Sequence, residues 1–416
     1  MKHTIVWLIL LPLVVSACAT STPAPARPCG DGICAGPENA KNCPEDCTAT
    51  QRPAVPDTAD SPTATVPATV SKPADTPTMN PPAATPKTAS SPAALPNATA
   101  TVKTTKSGAP LYMTTMTHME ASFTDDRDQQ VFLRHVEELR YGMDLAKAYG
   151  AILTIESEKP FARANAQWKL NIMAEIRDRG FGVGTHCDIG FRDPPMSPQQ
   201  FAKQFSENKA LVDVLIGAEN NLGCSGGGSV NDWALAASLA GFKYLDGIVS
   251  MHYLAMPMKN RPDGIWTDDF IRDGHFHLNA PVDLSQRIYP FEVANAQDFL
   301  PDEKPVIVVS SGELGILSAM AEHGREVGGD IEKDEDYDFN NADVDALIAQ
   351  IKAIDQTRDR SRIAKVAVYL PANAFVPANE AVLRYFFSQT QSLAKQGIIT
   401  WATQRQVYEA YVKWSK

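Results

Sequence analysis

Residues 180–188 read Gly-Phe-Gly-Val-Gly-Thr-His-Cys-Asp, and the parsing of the whole chain starts from them. Residues 164–179, just before, carry the apolar spacing of a helix. Gly180 is the residue type that stops one, because a left-handed cap carries no Cβ penalty at glycine. A short strand is expected over 182–185. It is followed at once by three chemically capable side chains, His186, Cys187 and Asp188. Helix, glycine stop, short strand and polar cluster make up the repeating unit of an alternating α/β fold. In such folds the residues that follow a strand lie at the end of the sheet where sites are built.

The same unit recurs on both sides. Strands are expected over 111–117, 151–155, 242–251, 305–310, 364–370 and 398–402. Helices are expected over 130–149, 199–216, 232–240, 342–354 and 379–396. The helix 130–149 gathers Val131, His135, Val136, Leu139, Met143 and Ala146 on one face. Residues 108–416 are therefore expected to form one α/β domain, a distorted (β/α) barrel of about seven strands, with an open doubly wound sheet as the second choice.

What precedes that domain is of another kind. Lys2 and the apolar run 4–15 have the flanks and length of a signal-peptide core, short of the ~20 residues that span a bilayer. Val15-Ser16-Ala17-Cys18 resembles a lipobox, so residues 1–17 are expected to be removed and the Cys18 thiol to carry lipid. This puts the chain outside the cytoplasm, held to a bacterial membrane as part of the cell envelope. Cys29, Cys34, Cys43 and Cys47 crowd into the module 18–47, which is too small for a core and is expected to be stapled by two disulfides of undetermined pairing. Asp31, Glu38, Asn39 and Asp46 there are oxygen donors of the kind that hold calcium. Residues 48–107 are rich in Pro, Ala, Thr and Ser, with no aromatic residue between Trp7 and Tyr112. Such a composition buries too little to offset chain entropy, so a disordered tether is expected.

The formal net charge is −11, which excludes nucleic acid as a natural partner, since phosphate binding needs a basic surface. The polar residues that follow the apolar runs are more informative. They are His118 and Glu120, Glu156 and Glu158, His186 to Asp188, Cys224 and Ser225, His252 and Tyr253, Glu313, and Asn373. Three imidazoles with several carboxylates at one end of a sheet have the composition of a zinc site. Cys187 and Cys224 each follow a strand, and a disulfide between them is expected in an oxidising compartment.

The order of these segments, and residues 180–186 in particular, resembles the polysaccharide deacetylase (NodB-homology) family, over roughly 111–414. The resemblance implies a seven-stranded (β/α) barrel with a divalent metal, usually zinc, that hydrolyses N- or O-acetyl groups on a polysaccharide. The family's T-F-D-D motif appears here as Thr117-His118-Met119-Glu120, with methionine in the base position. Its H-x-x-x-H motif keeps His186 but has Gly190 in the second place. Its arginine-bearing loop is replaced by Gly-Cys-Ser-Gly-Gly-Gly-Ser at 223–229. By this resemblance the metal falls to His118, Glu120 and His186, with Asp188 as a substitute ligand. Acid–base work falls to His252 as acid and Asp188, Glu313 or Glu156 as base. Two rival readings use the same barrel. One is a glycosidase with paired carboxylates such as Glu156 and Glu313. The other is a non-catalytic carbohydrate binder with Trp233, Tyr253 and Trp266 as aromatic platforms.

Overall fold

A computed structural model of the chain describes residues 108–119, 124–187, 189–261, 264–277, 284–321 and 339–415. Cys18, the four-cysteine module, the tether, Glu120 and Asp188 lie outside the described residues.

The described part is a mixed α/β fold around one sheet. Its strands are β1 (Leu111–His118), β2 (Thr154–Ser157), β3 (Gly182–Cys187), β4 (Gly223–Gly226), β5 (Tyr244–Asp246), β6 (Phe291–Val293), β7 (Ile307–Val309), β8 (Glu313–Ile316), β9 (Ala364–Tyr369) and β10 (Thr400–Trp401). They lie in the order β6-β7-β5-β4-β3-β2-β1-β9-β8, with β10 also on β1. The pairs are parallel except β6 with β7.

Each strand turns one face outward. Leu111, Met113, Ile155, Val183, Val366 and Val368 join a buried apolar cluster with the helices Gln129–Ala148, Asn341–Thr357 and Glu380–Lys395. A second cluster gathers Cys187, Cys224, Leu245 and Val309 with Phe201, Phe205 and Trp233. The helices start where their capping residues stand. The Asp128 side chain accepts from the N–H groups of Gln130 and Val131. Ser197 and Gln200 form a capping box before the helix Pro198–Ile216.

Two expectations need correction. The single helix over 164–179 is two helices, Lys159–Gln167 and Ile172–Asp178. Lys169 takes a left-handed φ of 54° between them, and the Asn171 side chain caps the second by accepting from the Ala174 N–H. The expected closed barrel is an open sheet among the described residues, ending at β6 on one side and β8 on the other. The cause lies in residues 310–312, which carry the chain from β7 straight to the far edge of β9. Gly312, at φ 101°, accepts from the Ala367 N–H there, and a Cβ would sit 2.4 Å from the Lys365 carbonyl oxygen. Side chains bridge the seam in place of a ladder. The Gly247 N–H, just after β5, donates to Glu313 on β8 at 2.9 Å, and Lys365 on β9 donates to the Ser310 carbonyl after β7.

Candidate active site

The other face of the sheet is polar, and its register explains why. His118, Glu156 and Gly184 are paired across β1, β2 and β3, while His186, Ser225 and Asp246 are paired across β3, β4 and β5. Side chains two residues apart on a strand share a face. So Glu156 and Glu158 share the face of His118, and Gly182, Gly184 and His186 follow one another along it. The alternating glycines make room for their neighbours. A Cβ at Gly182 would meet Thr154 at 2.5 Å, one at Gly184 would meet Glu156 at 3.4 Å, and one at Gly223 would meet the Tyr244 ring at 2.0 Å.

Into this space converge two imidazoles and two carboxylates. The His118 and His186 rings stack with centroids 3.9 Å apart and 17° between their planes. His118 Nε2 is 3.0 Å from Glu156 Oε2, and His186 Nε2 is 3.9 Å from Glu158 Oε1. His186 Nδ1 and Ser225 Oγ share a hydrogen bond of 2.9 Å. Tyr369, on β9, stands with its ring 5.1 Å from that of His118. All four side chains are largely enclosed, with 10% of His118, 8% of His186, 6% of Glu158 and 2% of Glu156 exposed, so His118 is the most accessible of them.

Deeper in the same face lie two residues that the strand-end reading did not single out, Asp246 and Lys365. Both are fully buried. Among the described residues neither oxygen of Asp246 has a hydrogen-bond partner. Burial first, and then the charge of Glu156, push its carboxyl well above the usual carboxylate range. Lys365 donates to Gln404 Oε1 at 2.9 Å and stands 3.9 Å from Glu313 Oε1. Glu313 also accepts from the Ser311 hydroxyl at 2.6 Å. Glu313 is therefore tied into the seam of the sheet.

His252, expected as the acid, lies in the turn Ser250–Ala255, wholly buried with its ring against Trp233. Its Nε2 donates to the Gly226 carbonyl at 3.2 Å, and its Nδ1 lies 3.2 Å from the Val249 N–H and 3.0 Å from the Val249 carbonyl. Burial lowers its pKa from 6.5 to about 4. The neutral ring is thus the form the fold selects. Its contribution to stability is complete above pH 6.5 and is lost as pH falls toward 4. A shift of that size corresponds to roughly 3 kcal/mol. Urea midpoints measured from pH 7 to pH 4.5 are expected to fall for the wild type and to fall less for His252→Gln. Equal slopes would remove His252 as the cause.

The remaining expectations fall out as follows. Cys187 and Cys224 form a disulfide with Cα atoms 5.9 Å apart, bracing β3 against β4 beside His186 and Ser225. Trp233, Tyr253 and Trp266, expected as sugar platforms, are buried core residues, because their rings pack on one another and on Phe270 and Phe299. Asn373 is exposed in the short turn Ala372–Ala374, away from the cluster's hydrogen bonds.

The implied metal meets an obstacle in this geometry. Among the described residues no three His, Cys, Asp or Glu side chains are grouped to hold an ion. Zinc bonds a histidine nitrogen in the plane of the ring at ~2.0–2.1 Å. The nearly parallel planes of His118 and His186 do not meet at such a point. The two rings as placed do not fit as ligands of one ion.

No family model and no curated protein matches the chain. Solved structures with a similar chain trace include a putative polysaccharide deacetylase from Mycobacterium smegmatis, 10% identical over 74% of this chain and 93% of that one, with a TM-score of 0.46. A probable polysaccharide deacetylase from Pseudomonas aeruginosa is 12% identical over 73% and 92%, with a TM-score of 0.46. A Puue allantoinase is 12% identical over 72% and 90%, with a TM-score of 0.45. At this level of similarity none of the three bears on the chemistry of this chain.

Proposed function

We propose that the chain is a hydrolase that removes acetyl groups from a polysaccharide outside the bacterial membrane, to which lipid on Cys18 holds it. The observation that carries the reading is the convergence of His118, His186, Glu156 and Glu158 at the ends of β1 to β3. Acyl transfer needs a group that takes a proton from the attacking oxygen and returns it to the leaving atom. An imidazole beside a carboxylate does both, because the carboxylate stabilises the imidazolium formed in between. His186 holds Ser225 on one nitrogen and faces Glu158 with the other, and His118 stacks over it with Glu156 at its edge. The cut removes a carbon–nitrogen bond when the acetyl group is on a sugar nitrogen.

The anchor belongs to the same proposal. A module at 18–47 and a proline-rich tether at 48–107 suit a domain that works on a polymer at a distance from the bilayer. A proline-biased chain extends by ~3.1 Å per residue. Metabolic labelling with palmitate is expected to mark the chain, and a label that persists in Cys18→Ala would contradict the anchor.

The activity is tested by incubating the full-length chain with acetylated chitooligosaccharide, peptidoglycan and xylan. Free acetate is the expected product. New reducing ends in its place would make the chain a glycosidase, with Glu156 and Glu313, which both act on Asp246, as the carboxylates to examine. Neither product would leave a binding protein and overturn the proposal.

A further inference from the structure

We infer that Ser225 is the nucleophile of this hydrolase, acting through a covalent acyl-enzyme, with His186 as its base and Glu158 orienting His186. The inference rests on the reading above for its substrate class, an acetylated glycan, and goes beyond it in replacing a metal-activated water with a side chain.

Three observations on different atoms support it. First, Ser225 Oγ lies 2.9 Å from His186 Nδ1, within reach for direct proton transfer, and the other nitrogen of that ring lies 3.9 Å from Glu158. Nucleophile, base and orienting carboxylate thus follow one another along β4, β3 and the residue just after β2. Second, residues 223–227 read Gly-Cys-Ser-Gly-Gly, a G-x-S-x-G pattern at the end of a strand. Gly226 and Gly227 take left-handed φ values of 79° and 88°, and a Cβ at Gly226 would press on His186 Cε1 at 3.3 Å. A Cβ there would also lie 3.2 Å from the Cys187 carbonyl oxygen, so glycine relieves crowding against both. The turn is looser than a nucleophile elbow, since the helix Trp233–Leu239 begins several residues later and Ser225 itself is unstrained. Third, the pair is held from behind. Cys187 follows His186 and Cys224 precedes Ser225, so the disulfide fixes both partners, and His252 donates to the Gly226 carbonyl.

The steps balance. Ser225 Oγ bonds to the acetyl carbonyl carbon while its proton passes to His186 Nδ1. The bond from that carbon to the sugar nitrogen or oxygen then breaks, and the leaving atom takes the proton from His186. Water attacks the seryl ester, gives one proton to His186 and releases acetate. The proton then returns to Ser225 Oγ.

The test treats the full-length chain with a fluorophosphonate probe and maps adducts by mass spectrometry, alongside acetate release by wild type and Ser225→Ala. Because Ser225 is buried, the probe reports its access as well as its reactivity. An adduct on Ser225 is expected, with acetate release lowered about 10³-fold or more in Ser225→Ala and unaffected in the wild type by a chelator. Absence of the adduct, or release by Ser225→Ala at the wild-type rate, overturns the inference. An adduct without acetate release from any glycan supports the nucleophile while the substrate reading fails, so the two are separable.

Discussion

Lys365→Met is expected to destabilise the domain by about 3–5 kcal/mol, because it breaks a buried charge pair and leaves one partner behind. Lys365 is fully buried on the inner face of β9, where its ammonium group donates to the Ser310 carbonyl and to Gln404 and faces Glu313. Methionine fills much the same volume, so packing survives while the charge and two hydrogen bonds go. Glu313 would keep its bonds from the Gly247 N–H and the Ser311 hydroxyl, which places the loss toward the lower end of that range. The effect should concentrate at the seam, where side chains do what a closed ladder would otherwise do. Glu313→Gln in the Lys365→Met background should recover a large share, since the carboxylate left unpaired is then neutral. Urea denaturation of the two single variants and the double variant checks this. A loss under about 1 kcal/mol in Lys365→Met would mean that the seam is held by other contacts.

The parts of this fold that could be read from the sequence are those where one periodicity meets one environment. The helix Gln129–Ala148 was legible because its apolar face is continuous, and His135, Val136, Leu139, Met143 and Ala146 are all buried on it. β3 was legible because Gly180 stops the helix before it and its alternate glycines accept side chains from β2. β4 was not, because Gly223–Gly226 contains no apolar run and takes its strand geometry entirely from its neighbours. The same reason hid part of the site. Ser225 was visible only as a polar residue among loop-like glycines, Asp246 preceded a glycine as a turn residue does, and Lys365 occupied an alternate position of a strand, where lysine ordinarily faces water. All three point inward because the polar face of this sheet is buried as well as the apolar one. His118 and His186 were visible because they end recognisable strands. Their stacking was not, since it depends on how the strands lie beside one another.

The cluster at the ends of β1 to β4 is proposed to perform acyl hydrolysis with His186 as its proton carrier. His186 bonds Ser225, faces Glu158 and lies against His118. His186→Asn keeps a hydrogen-bonding atom near Nδ1 but cannot carry a proton, so the fold should survive while catalysis does not. General acid–base groups contribute about 10²–10⁴-fold to rate. The most direct measurement is therefore acetate release from an acetylated glycan by wild type and His186→Asn, with urea midpoints taken on both. Release is expected from the wild type, with a loss of about 10²–10⁴-fold in the variant at nearly unchanged midpoint. Release by His186→Asn at the wild-type rate would contradict the proposal.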